Sequence, residues 1–137
     1  MNYPEEVLYL FDDLIAHCDK SQNICGVLLV GSYATGDFSN SEDIDLVLLT
    51  DKPDELLVSN EWVNEFGIVQ NKSVMTFGPI QGLKVKYTDK EVDFGITTPH
   101  WASITPLDDQ TKTIIKRGVK IIYDPQSHFK NLLEKMY

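Results

Sequence analysis

Apolar and polar positions change period several times along the chain, and each period predicts an element. In "PEEVLYLFDDLIAHC" Val7, Phe11, Leu14, Ile15 and Cys18 share one face at helical spacing, with Pro4 and two glutamates suited to a first turn. An amphipathic opening helix is expected. "ICGVLLV" has no polar alternation, as expected of a strand covered on both faces; Gly31 ends it, and "DIDLVLLT" reads the same way. Leu56, Leu57, Trp62, Val63 and Phe66 group as one or two short helices ending at Gly67.

From "IVQNKSVMTF" the texture becomes strand-like, and "GLKVKYTDKEVDFGIT" alternates on both sides of "TDKE", which predicts a hairpin. With Asp89 and Lys90 as the turn, Tyr87 pairs with Val92, Lys86 with Asp93, Val85 with Phe94, Lys84 with Gly95 and Leu83 with Ile96. One face is then apolar and the other carries Lys84, Lys86, Asp93 and Gly95. "PHWASITPLDDQTKTIIKRG" predicts a turn and a helix with Ile114 and Ile115 inward, capped near Asp108 and stopped at Gly118. "VKIIYDP" predicts a last strand, and "SHFKNLLEKMY" a closing helix started by Ser127. The sum is a mixed α/β (α+β) fold.

Length and composition narrow the class. With 137 residues, 42% of them hydrophobic, one domain over residues 1–137 is expected. Twelve basic against twenty-one acidic residues give a formal charge of -9, so nucleic acid is an unfavoured partner. Arg117 is the sole arginine, which excludes an arginine-rich phosphate clamp and leaves lysines, backbone amides or metal ions to meet a polyphosphate. Cys18 and Cys25 lack the spacing of a zinc site or a disulfide framework and read as free thiols. No basic leader and no run near the roughly 18 apolar residues of a membrane span is present, so a soluble, cytoplasmic protein without membrane contact is expected.

The stretch "GSYATGDFSNSEDIDLVLL" concentrates the candidate chemistry. Asp43 and Asp45, two apart at the mouth of a strand, point to one side, and two like charges so close need a raised pKa or a hard divalent cation such as magnesium. Asp93, on the polar face of the hairpin, is the candidate third carboxylate, and Gly95 beside it leaves room for a substrate. Gly31 and Ser32 form a tight turn where amides and a hydroxyl meet phosphate oxygens. A calcium loop counted from Asp37 fails, since Glu42 and Leu48 stand where an EF-hand needs Gly and Glu. His17, His100 and His128 are not clustered and read as ordinary residues, and Trp62 and Trp101 as core aromatics.

Gly-Ser, ten intervening residues, Asp-x-Asp and a later strand aspartate together resemble the nucleotidyltransferase superfamily of DNA polymerase β and the antibiotic nucleotidyltransferases. "GSYATGDFSNSEDID" is similar to the GSx10DxD pattern of its small bacterial branch, and "EWVNEFG" and "VKIIYDP" are similar to segments of streptomycin-type aminoglycoside adenylyltransferases. Many relatives carry Arg where this chain has Thr35. The resemblance implies a mixed sheet flanked by helices and transfer of a nucleoside monophosphate, AMP from ATP first among them, to an acceptor hydroxyl with release of pyrophosphate. It implies two magnesium ions on Asp43, Asp45 and Asp93, with Asp93 nearest the acceptor, and phosphates on Gly31 and Ser32. Lys86, expected beside Asp93, either neutralises a phosphate or forms a plain cross-strand ion pair.

Three functions are compatible with that resemblance. The first modifies a small, aminoglycoside-like acceptor, to which the acidic charge is suited. The second modifies a partner protein, as an antitoxin acts on a helical HEPN-type toxin, with the helical domain of the larger relatives supplied by another chain or a homodimer. The third is a catalytically silent nucleotide-binding module.

Overall fold

In the computed structural model, which describes residues 3–36, 43–77, 80–102 and 109–136, the N-terminal apolar stripe becomes helix α1 (Glu5–Ser21). Val7, Leu10, Phe11, Leu14, His17 and Cys18 are its buried face, so the expected stripe gains Leu10 and His17, and Ile15 is only half-buried. The helix closes through Gln22, in the left-handed conformation, whose N–H donates to Cys18 O. β1 (Gly26–Val30) follows and runs directly into the five-residue helix α2 (Gly31–Thr35).

Next come β2 (Asp43–Leu49), α3 (Pro53–Val58) and a 3-10 turn (Glu61–Phe66), the two short helices expected ahead of Gly67. β3 (Val69–Phe77), β4 (Ile80–Tyr87) and β5 (Glu91–Thr97) complete the β-rich stretch. A second 3-10 turn (Pro99–Ala102), α4 (Asp109–Arg117), β6 (Lys120–Tyr123) and α5 (His128–Met136) end the described chain. Among the described residues no helix is long and apolar enough to cross a membrane.

The strands form one six-stranded mixed sheet in the order β3-β4-β5-β2-β1-β6. β2 and β5 run parallel, and the other adjacent pairs are antiparallel. The unbroken apolar runs of β1 and β2 are explained by burial on both faces. On one face Val27, Leu29, Ile44, Leu46, Leu48, Val92 and Phe94 pack against α1, α3 and the first 3-10 turn. On the other, Leu28, Val30, Val47, Leu49 and Ile80 meet Trp101, Ile115, Phe129 and Leu132. Each fully buried Leu, Ile or Phe contributes about 1.5–3 kcal/mol, so this double burial fixes the strands that carry the polar residues at their ends.

The hairpin's faces are as expected, but its register is not. Lys86 lies opposite Glu91, Val85 opposite Val92, Lys84 opposite Asp93, Leu83 opposite Phe94 and Gly82 opposite Gly95. Tyr87 N–H donates to Lys90 O, so Thr88 and Asp89 form the tip. The pairing differs from the expected one by two residues, and a two-residue slip leaves every side chain on its original face. Hydrophobic alternation therefore does not distinguish the two registers.

Two contacts distinguish them. Gly82 packs against the backbone of β5, where an added Cβ would fall 2.1 Å from Phe94 O. Lys90 reaches back to donate to Phe66 O at 2.6 Å, with its ammonium 4.6 Å from the centre of the Tyr87 ring.

Helix ends also depart in one place from expectation. Ser127 does not start α5 with its side chain; the Asp124 carboxylate does, accepting from Phe129 N–H at 3.1 Å and Lys130 N–H at 2.9 Å. α4 stops at Gly118, φ +117°, as expected, whereas the expected cap at Asp108 lies outside the described residues, as does the 37–42 part of the calcium-loop reading. β1 ends, and β2 and β5 begin, at the same edge of the sheet, which gathers Gly31, Asp43, Glu91, Asp45 and Asp93 there.

Candidate active site

A single row of residues crosses four strands at that edge. Val30 is opposite Asp45, Asp45 opposite Asp93, and Asp93 opposite Lys84. Adjacent strands lie about 4.8 Å apart, so Asp45 and Asp93 are held side by side by backbone hydrogen bonding. Asp43, two residues before Asp45, shares its face and stands opposite Glu91. The same face becomes apolar two residues further on, at Val47 and Leu49. The carboxylates thus sit at the rim of a core, half-buried by it.

That setting governs their charge. Burial raises the Asp45 carboxyl to about 7, helped by a hydrogen bond to Asp93 and by the charges of Asp93 and Asp43, with Lys84 opposing. Burial also raises Asp93, and the negative charge of Asp43 adds to it while its bond from Asp45 opposes. Burial acts in the same upward sense on Asp43, yet the hydrogen bonds from Glu91 and Lys84 outweigh it, and Asp43 lies below the usual carboxylate range. Glu91 is raised, first by the hydrogen bond in which it serves Asp43 as donor. Asp45 therefore holds a proton toward Asp93, and Asp43 holds the negative charge beside the Lys84 ammonium, 3.0 Å from Asp43 Oδ2.

Gly31 is placed against this group. Its φ is +74°, a conformation that costs other residues energy, and an added Cβ would lie 2.4 Å from Asp45 Oδ2. The Gly-Ser pair thus begins α2 directly beside the Asp-x-Asp. The far side of α2 is fixed by Tyr3, whose hydroxyl donates to Tyr33 O at 3.1 Å, and its end by Gly36, φ 90°, whose N–H donates to Ser32 O. Ser32 and Thr35 face partial solvent or more.

Two expectations about this face are corrected. Lys86 is not beside Asp93; it pairs with Glu91, and Lys84 takes the place opposite Asp93 because of the two-residue register difference. The space left by Gly95 is not open to a substrate, since an added Cβ there would meet Ile80 Cγ2 at 3.2 Å and Leu46 O at 3.3 Å. Ile80, 3% exposed, fills it as part of the second core. Sequence reasoning also missed two members of the cluster. Glu91 was visible, because it lies two residues before Asp93 on the same strand face; Lys84 depended on the register.

The other candidates fall elsewhere. His17 is buried in α1, paired with Glu65 and stacked at 6.2 Å on Trp62. His128 bonds Gln126, and His100 is in the second 3-10 turn. Trp62 donates to Leu56 O and meets Phe94 edge-on at 5.0 Å, and Trp101 is 4% exposed in the second core, so both aromatics close the core as expected. Cys18 and Cys25 are free thiols. A polar cavity of about 300 Å³, lined by Gln22, Cys25, Asp51, Glu55 and Gln126 among others, lies at the opposite end of β2 from the carboxylates.

The donor set fits a hard divalent cation: it consists of carboxylate oxygens, and Asp93 Oδ1 is buried with no hydrogen-bond partner among the described residues. Among the described residues no three His, Cys, Asp or Glu side chains form a ready cation shell. Protons and Lys84 instead balance the charge.

The chain belongs to the nucleotidyltransferase domain family, whose model matches residues 15–132. No curated protein sequence matches it. Among solved structures it is similar to an aminoglycoside 6-adenyltransferase from Bacillus subtilis, with a TM-score of 0.52 and 12% identity over 74% of this chain and 38% of that one. It is likewise similar to a CCA-adding enzyme in complex with CTP, with a TM-score of 0.52 and 15% identity over 96% of this chain and 33% of the other. The chain therefore spans 38% and 33% of the length of these two, and the likeness is one of fold.

Proposed function

We propose that the protein is a magnesium-dependent nucleotidyltransferase that moves AMP from ATP onto a hydroxyl of a small-molecule acceptor and releases pyrophosphate. The observation that carries this reading is the Asp45 and Asp93 pair, side by side on parallel strands with Asp43 two residues away. Asp43, Asp45 and Asp93 would hold magnesium, which when bound supplies charge neutralisation at the attacking and leaving oxygens. Gly31 and Ser32 receive the β- and γ-phosphates at the start of α2. Lys86, across from Glu91 at the rim, is left as a candidate phosphate contact.

In the transfer itself the acceptor oxygen forms a bond to the α-phosphorus while the bond to the bridging oxygen of the β-phosphate breaks. Pyrophosphate carries away that electron pair, and the acceptor's proton passes to the Asp93 carboxylate. The fold likeness to an adenyltransferase supports adenine nucleotide and small acceptor, and the charge of -9 supports a cationic one. Two free thiols accord with a reducing, cytoplasmic setting.

Incubation with α-labelled ATP, magnesium, a panel of aminoglycosides and a lysate of the source cell tests the reading. Label on a small molecule is expected. Label on a protein band replaces the small acceptor by a partner protein, and no label anywhere contradicts the transfer.

A further inference from the structure

We propose that Lys84 is a tethered counter-cation that occupies the metal side of Asp43 until a nucleotide arrives, so that metal loading is conditional on the triphosphate. The proposal rests on the carboxylate assignment given under Proposed function. It starts from reach: Lys84 is on β4, and its ammonium crosses β5 to lie 3.0 Å from Asp43 Oδ2 on β2, over Asp93, which is its partner across the strands. Among the lysines of that sheet face, Lys86 stands one pair further out, opposite Glu91. A lysine thus supplies the positive charge that a group of half-buried acids needs.

Competition follows from that placement. A cation entering from solvent must displace an ammonium attached to the same molecule, whose local concentration is in the millimolar range or above for a short tether. It must also approach a like charge. A metal–triphosphate complex meets neither obstacle in full, because the phosphates bring their own oxygen ligands and offer the displaced ammonium a new anion. The side chain is 47% exposed, so it is free to turn away without disrupting the core.

The test is Mg2+ titration followed by calorimetry, on wild type, Lys84→Met, Lys84→Arg and Lys86→Met, first without nucleotide and then with a non-hydrolysable ATP analogue. Without nucleotide, Lys84→Met is expected to bind Mg2+ about fivefold more tightly than wild type, the order of one partly exposed ion pair. Lys84→Arg and Lys86→Met should stay near wild type, the latter because it removes the same charge without the Asp43 contact. With the analogue, the advantage of Lys84→Met should vanish.

Equal tightening by Lys86→Met would overturn the proposal in favour of a general charge effect, and an advantage that persists with the analogue would overturn the conditional loading. Wild type binding Mg2+ with no change in Lys84→Met overturns the proposal alone. Absence of Mg2+ binding by every variant, with and without the analogue, overturns the carboxylate assignment as well.

Discussion

Asp45 and Asp93 are nearest neighbours across the parallel β2 and β5 pair and are joined by a proton that Asp45 carries at about 7. Burial is the leading cause, and a folded carboxyl with a raised pKa holds its proton more tightly than the unfolded chain does. Unfolding free energy at this residue therefore falls as pH rises from about 4 to about 7, and is level on either side. Asp45→Asn removes the titration. The variant is expected to match wild type near pH 4 and to exceed its stability by on the order of 2 kcal/mol at pH 8, after allowance for partial solvent screening. Denaturant melts at several pH values check this; a gap that does not grow between pH 4 and 7 contradicts the shared proton.

In the proposed site, magnesium would compete with the same proton. The rise in melting temperature on adding Mg2+ with an ATP analogue should be larger at pH 8 than at pH 5.5, and should be lost in Asp45→Asn. A thermal-shift series gives the comparison, and an equal rise at both pH values speaks against Asp45 as a ligand.

Gly31→Ala tests the contact between the helix start and the carboxylate. At φ +74° the backbone alone costs an alanine about 1–2 kcal/mol, and its Cβ would push Asp45 Oδ2 from its place beside Asp93. Stability should fall by that amount and turnover by about 100-fold, the order expected when a reacting group is displaced by about 1 Å. Retained turnover with only the stability loss would show that Asp45 turns aside harmlessly.

Gly82→Ala separates fold from chemistry. Its Cβ would stand 2.1 Å from Phe94 O, a backbone atom in the middle of β5, so β4 must move away from β5. A loss of about 2–3 kcal/mol is expected, as for other overpacked interiors, and the structure of the variant should show the β4–β5 pairing disturbed next to Lys84. Wild-type stability in a melt would contradict the observed register.

Much of this architecture was legible because the physics is local or periodic. Continuous apolar runs announced β1 and β2 as strands buried twice, and the spacing of Gly31, Ser32, Asp43 and Asp45 announced a polar site where those strands meet. What sequence left open was relative placement. Period-two alternation is blind to a two-residue slip, so Lys84 rather than Lys86 lies opposite Asp93, and the space credited to Gly95 is filled by Ile80. The start of α5 was misread for a related reason: the capping carboxylate comes from Asp124, outside the positions that helix spacing examines, while Ser127 sits at φ 59° without capping.

Asp43, Asp45 and Asp93 are proposed to form one metal-dependent transfer site. The most direct test is pyrophosphate release from ATP in the presence of the acceptor found by labelling, with and without Mg2+, in wild type, Asp43→Ala and Asp93→Asn. Magnesium-dependent release by wild type, with loss of at least about 100-fold in both variants and melting temperatures that show both still folded, is the predicted result. Full activity in either folded variant would contradict the account.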